Sequence, residues 1–180
     1  MSGTWHIALL RGINIGQAKR VAMADLRELV AGLGFSDVRT LLNSGNVVFR
    51  AAGVTAAKAA SRIEKAIASE LGVSSRVTVL TAAELAGILA KQPVFKQADN
   101  PSRLLVAVWS DPAARASLAP LLKQDWAPEQ LAIGARAAYL WCPEGIRDSR
   151  LLTAIGRVLG DGVTSRNWAT LSKLAALLRD

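Results

Sequence analysis

One histidine and one cysteine are all that 180 residues contain of either type. A lone cysteine cannot close an internal disulfide, and a lone histidine leaves no Cys/His cluster for a metal ion. Neither a metal nor a cofactor is expected. Aromatic residues are few, at 5% of the chain, and this limits any recognition by base stacking. No apolar run approaches the roughly 20 residues that span a bilayer. The short run Ile7–Leu10 ends at Arg11 without a signal-peptide cleavage pattern. The expectation is a cytoplasmic protein with no membrane partner. Acidic residues are also in deficit, with 22 Lys+Arg against 14 Asp+Glu and a net charge of +8. Residues 1–90 carry ten bases and six acids, and residues 91–180 carry twelve and eight, so each half is +4. With no basic tail or dense basic run, the charge permits weak, non-specific nucleic-acid binding and points no further.

What the chain does have is half hydrophobic residues in a length that suits one large domain or two small ones. Its organising stretch is Leu41–Arg50, LLNSGNVVFR. Asn43-Ser44-Gly45-Asn46 reads as a hairpin turn, because Asn and Gly tolerate left-handed backbone, and the flanking Leu, Val and Phe suit a pleated surface. Before the hairpin come a strand over Trp5–Leu10 and a helix carrying Met23, Leu26, Val30 and Leu33 at helical spacing. After it come a helix opened by Thr55 and closed by Gly72, then a strand over Arg76–Leu80. Thr81 and Glu84 have capping-box spacing and open a further helix. The stretch Lys91–Ser102, with two prolines and little periodicity, reads as a linker. Residues 103–166 then repeat the order, with a strand at Leu104–Trp109, a short helix interrupted by Pro120, a hairpin around Gly134, a helix from about Asp148 and a strand at Val163–Arg166. Asn167 is placed to cap a last helix.

The predicted fold is α+β: two tandem ferredoxin-like βαββαβ units with antiparallel sheets, plus a C-terminal helix. The expected domains are residues 1–90 and 91–180. The first strand has apolar residues at both alternations, Trp5, Ile7 and Leu9 against His6, Ala8 and Leu10, so both of its faces should be covered. Parallel placement across each βαβ connection brings the Arg11–Gly16 loop and the Asn43–Asn46 turn to one edge of the sheet, together with the start of the fourth strand at Ser74–Arg76.

The stretches ALLRGINIG, VAMADLREL, SGNVVF and TSRNWATLSKL resemble the bacterial family called domain of unknown function 1697. The match runs nearly the length of the chain, with its motifs in the expected order. The resemblance implies tandem α+β units and supplies no activity. One departure is Gln17-Ala18-Lys19-Arg20, where members often carry a second glycine and a lysine-rich loop.

Candidate ligand-binding residues are Arg11, Asn14, Ser44 and Asn46 at the shared rim. Arginine offers a fixed fork of donors for carboxylate or phosphate, and the amides both donate and accept. Asn14, Asn43 and Asn46 can equally satisfy turn backbone. Arg166 and Lys173 form a second candidate set near a helix N-terminus. Catalytic residues are not assigned. Gly12 and Gly16 match neither a dinucleotide fingerprint nor a P-loop. A catalytic thiolate would want a basic neighbour, and the only histidine lies in the other unit, so Cys142 reads as inert. An RNA-recognition module would need several aromatics on its third strand, where Val47 and Phe49 supply one. The function these residues suggest is a small soluble module holding an anionic or nucleotide-like ligand at the strand-end rim. A metal-independent enzyme on a small phosphorylated or carboxylated substrate and a purely structural or partner-binding protein are the alternatives. Oligomeric state is left open.

Overall fold

A computed structural model describes residues 3–91, 95 and 98–179. The chain divides into two compact units, one formed by Met1–Leu85 with Leu174–Asp180, the other by Ala86–Lys173. Each unit holds a four-stranded antiparallel sheet. Part of the expected linker, Gln92–Val94 with Lys96 and Gln97, lies outside the described residues.

In the first unit the order is β1 (Thr4–Leu10), α1 (Met23–Gly32), β2 (Ser36–Leu41), β3 (Asn46–Ala51), α2 (Ala56–Leu71) and β4 (Val77–Thr81), followed by α3 (Ala82–Ala90), which begins in this unit and continues into the second. The sheet runs β2-β3-β1-β4, the βαββαβ arrangement with β1 and β3 central. Its helix-side core combines Ala8, Leu10, Val47, Phe49 and Val79 with Leu26, Val30, Ile63 and Ile67 from α1 and α2. Within each helix these residues recur at four-residue spacing, an interval that keeps them on one apolar stripe. The stripe of α2 also takes in buried Ala59 and Ala66, with Ala56, Ala60 and Leu71 packed against the core at its edges. Ile7, Ala8, Leu9 and Leu10 are each fully buried, so both faces of β1 are covered. His6 is buried with them and stacks on Phe49 at 5.6 Å between ring centres.

The second unit repeats the pattern with β5 (Leu104–Trp109), α4 (Ala114–Leu118), β6 (Gln130–Ile133), β7 (Ala137–Trp141), α5 (Arg150–Leu159) and β8 (Val163–Asn167), followed by α6 (Trp168–Leu177), whose residues from Leu174 on belong to the first unit. The sheet order β6-β7-β5-β8 reproduces that of the first unit. Pro120 stands in a 3₁₀ turn, Ala119–Lys123, that ends α4 after five residues, because proline removes a helical donor. α5 begins at Arg150, close to the expected start, with Ser149 as its cap: the Ser149 hydroxyl accepts from the Leu152 N–H. No helix among the described residues is long and apolar enough to cross a membrane.

Candidate functional site

Three segments of the first unit are stitched together at the end of β1. The Leu10 N–H donates to the Gly45 carbonyl at 2.9 Å, and the Arg11 N–H donates to the Arg76 carbonyl at 2.9 Å. The Ser75 hydroxyl closes the join by donating to the Arg11 carbonyl at 2.9 Å. Gly45, at φ 84°, lies against β1 so closely that a Cβ there would stand 2.7 Å from the Leu10 Cβ. Only glycine fits both the conformation and the space.

Asn14 organises the loop that follows β1. It adopts φ 54°, a region that asparagine enters more readily than most residues. Its side chain meets Val21 as a strand partner would, accepting from the Val21 N–H at 2.8 Å and donating to the Val21 carbonyl at 2.9 Å. The same amide donates to the Asn43 carbonyl at 2.7 Å. Asn14 therefore closes the loop on itself and ties it to the hairpin turn. Buried Ile13 and Val21 anchor the loop. Its middle, Ile15–Arg20, is exposed throughout.

Of the other rim residues, Asn46 is completely buried at the start of β3. It donates to the Leu41 carbonyl and the Ser44 hydroxyl, both at 2.9 Å. Asn46 and Ser44 thus define the interior of the turn. Arg11 is exposed at the rim. Arg76, also at the rim, lies 3.8 Å from Glu64, which accepts from the Val77 N–H at 2.7 Å as well.

Beside this junction lies an open depression of about 400 Å³ lined by Asn14, Arg20, Val21, Ala22, Met23 and Asn43. It includes the first residue of α1. The cap position before that helix is Ala22, whose side chain cannot cap, and no side-chain cap bond is made there among the described residues. The first helical bond is Leu26 N–H to the Ala22 carbonyl, so the leading N–H groups have no partner within the helix. Arg20 lines the depression, and its exposed side chain makes no hydrogen bond or ion pair among the described residues. Sequence reasoning met Arg20 only as a family departure. The missing signal was Asn14, whose bonds to Val21 bring the end of the loop back over the turn.

The second predicted set belongs to the other unit. Arg166, on β8, donates to the Thr164 hydroxyl at 3.1 Å and the Ser165 carbonyl at 2.8 Å. Burial pushes its guanidinium down to about 10, which still leaves it charged at neutral pH. Asn167 accepts from the Thr170 N–H at 2.8 Å and so occupies the start of α6. Lys173 is exposed on that helix. The structure brings Arg11, Asn14, Ser44 and Asn46 to one rim and sets Arg166 and Lys173 in another unit.

A further cluster was not anticipated. A cavity of about 430 Å³ is lined by Ala127, Pro128, Glu129, Glu144, Gly145, Asp148, Ser149 and Arg150. Ser149 donates to a Glu129 oxygen, and the other oxygen accepts from the Arg150 N–H at 2.9 Å. Cys142 lies 3.6 Å from the Ser149 hydroxyl. Burial pushes the Cys142 thiol up, the Ser149 hydrogen bond opposes this, and Glu129 adds to it. A protonated buried thiol is a poor nucleophile. Ser149 both donates and accepts in capping α5, and the carboxylate of Glu129 completes the cap from outside the helix. Among the described residues no group of three His, Cys, Asp or Glu side chains is placed to hold a metal.

The fold and rim together define a class: tandem ferredoxin-like α+β units with a cation-bearing junction where β1, the hairpin and β4 meet. The chain belongs to the family described as protein of unknown function DUF1697, whose model matches residues 4–139. The conserved bacterial protein SP0830 from Streptococcus pneumoniae has a similar structure, with a TM-score of 0.75 and 23% identity over 97% of this chain and 98% of that one. At this identity the likeness is one of fold. No curated protein matches the chain.

Proposed function

We propose that this protein is a cytoplasmic binding module for a small anion, a phosphate or carboxylate carried by a nucleotide-like ligand, held at the strand-end rim. The observation that carries this reading is the coincidence of Arg20, the uncapped start of α1 and a ligand-sized depression. The leading N–H groups of a helix and its dipole favour an anion, and a guanidinium adds charge-assisted donors in a fixed fork. A volume of about 400 Å³ lies within the range of small-molecule sites. Asn14 acts by holding the loop closed over the turn, and Ser44 and Asn46 act by holding the turn. Arg11 contributes positive potential from the same rim. Arg166 and Lys173 are the second place where an anion could bind.

The test is a thermal-shift series with phosphate, sulfate and a nucleoside monophosphate at low and moderate salt. A ligand that binds the native state raises the melting temperature. The rise should disappear in Arg20→Ala and shrink in Arg11→Ala while both variants stay folded. Titration calorimetry should show affinity falling about tenfold or more in Arg20→Ala, the loss of a charge-assisted hydrogen bond. Equal shifts in parent and Arg20→Ala would remove the ligand from this rim, and a series of Arg166→Ala and Lys173→Ala would then locate it. No shift with any anion would overturn the reading.

A further inference from the structure

Two surfaces of the first unit carry opposite charge beside apolar side chains. One is a knob. Ile15 is 71% exposed and Leu42 53% exposed, two of the most exposed large apolar side chains among the described residues. Ile15 stands in a tight turn closed by a bridge to Ala18, with Gly16 left-handed at φ 61°. Leu42 is itself left-handed at φ 59°, a conformation that costs an ordinary side chain energy and that persists where surrounding structure imposes it. The bond from Asn14 to the Asn43 carbonyl joins the two segments that carry these exposed aliphatic side chains. Lys19 and Arg20 are exposed on the same loop as Ile15, and residues 11–22 and 42–46 contain no Asp or Glu.

The other surface is a groove of about 320 Å³ lined by Asp25, Glu28, Leu29, Gly32, Glu70 and Leu71, from α1 and α2. Asp25, Glu28 and Glu70 are exposed, and among the described residues no Lys or Arg pairs with them. Three like charges around an apolar floor repel one another and attract a cation. The groove is open at Gly32, where an added Cβ would meet nothing within 4 Å.

We infer that the knob of one copy docks into the groove of a second copy, head to tail. Aliphatic tips suit the leucine-floored groove, and Lys19 and Arg20 suit its carboxylates. A nucleic-acid occupant of the knob is disfavoured because Ile and Leu offer no ring for stacking. The exposure of Ile15 shows that the knob does not fill the groove of its own chain. Two side chains cover far less than the roughly 800 Å² per partner of a stable interface. The association is therefore weak, reversible and salt-sensitive. A heterologous contact of this kind repeats into a ring or an open chain. The inference shares Arg20 with the anion reading but needs no bound anion, since Ile15, Leu42, Lys19 and the carboxylates of the groove carry it as well.

Sedimentation and light scattering from micromolar to millimolar protein test it. The average mass of the parent should rise with concentration and fall back at high salt. A knob variant, Ile15→Ser with Leu42→Asn, and a groove variant, Glu28→Lys with Glu70→Lys, should each stay monomeric where the parent associates. Each removed aliphatic contact should weaken association by about tenfold or more. Mixed in equal amounts, the two variants should form a one-to-one pair and stop there, because each keeps the half the other lacks. Thermal melts of both variants establish that they are folded. A parent that stays monomeric throughout overturns the inference. So does a mixture that fails to pair while the parent associates, because the contact then lies on other surfaces.

Discussion

Gly45 and Leu42 share a turn and a left-handed backbone, with opposite consequences. At Gly45 an added Cβ meets Leu10 at 2.7 Å and Ile13 at 2.9 Å. Gly45→Ala should therefore lose both the conformational freedom and the close approach, at a cost of about 2–4 kcal/mol. Leu42 points the other way, exposed and at φ 59°. Leu42→Asn should stabilise the fold by about 1 kcal/mol, because asparagine enters this region with less strain. Urea unfolding of the two variants measures both signs. A destabilised Leu42→Asn would show that Leu42 packs against something its exposure conceals. The turn and its glycine were legible in the sequence, since Asn-Ser-Gly-Asn between apolar runs has few other readings. The strain at Leu42 was not, because leucine gives no local sign of left-handed backbone and only the hairpin register imposes it. Arg20 was hidden for a similar reason: its position depends on Asn14 reaching seven residues along to Val21.

Helix starts mark how far local spacing carries at the level of elements. The Thr55 cap of α2, the reciprocal bonds between Thr81 and Glu84 at α3, and Asn167 at α6 all stand where sequence spacing placed them. The alternation along β1, apolar on both sides, likewise corresponded to burial of Ile7–Leu10. At α5 the local pattern was insufficient. Its first turn is served by Glu129, 20 residues before Ser149 in the chain, and no spacing rule links residues that distant. The carboxylate accepts from both the Ser149 hydroxyl and the Arg150 N–H, so it supplies a hydrogen-bond acceptor and a negative charge at the positive end of the helix. Ser149→Ala and Glu129→Gln should each lose about 1–2 kcal/mol of stability. Because the two side chains form one network, the double variant should lose less than the sum. Chemical unfolding of the four proteins gives this coupling. Strict additivity would mean that Glu129 acts on α5 without Ser149.

At the scale of the whole molecule, the net charge of +8 invites a polyanion reading that the placement of the cations opposes. Several guanidiniums are fixed on the chain's own carbonyls: Arg62 on Leu33, Arg103 on Pro143, Arg136 on Trp109, and Arg150 on Trp126 and Ala127. Arg39 and Arg50 lie over the Trp5 ring, and Arg50 also pairs with Asp37 at 3.2 Å. Within each unit these side chains fasten loops and strand ends to the chain's own backbone, rings and carboxylates. A phosphate would have to draw each from an existing partner. The third strand of the first sheet adds no stacking platform, because Phe49 is buried between Phe35 and His6. Binding to double-stranded DNA or to a single strand should therefore be weak and indifferent to sequence. Its dependence on salt should correspond to about two or three phosphate contacts, well below the six to ten of a dedicated binder. Fluorescence anisotropy with labelled oligonucleotides of differing sequence, from low to physiological salt, measures both quantities. Tight binding that survives physiological salt, or a clear preference among sequences, would contradict this account and require base-reading contacts that the buried rings do not offer.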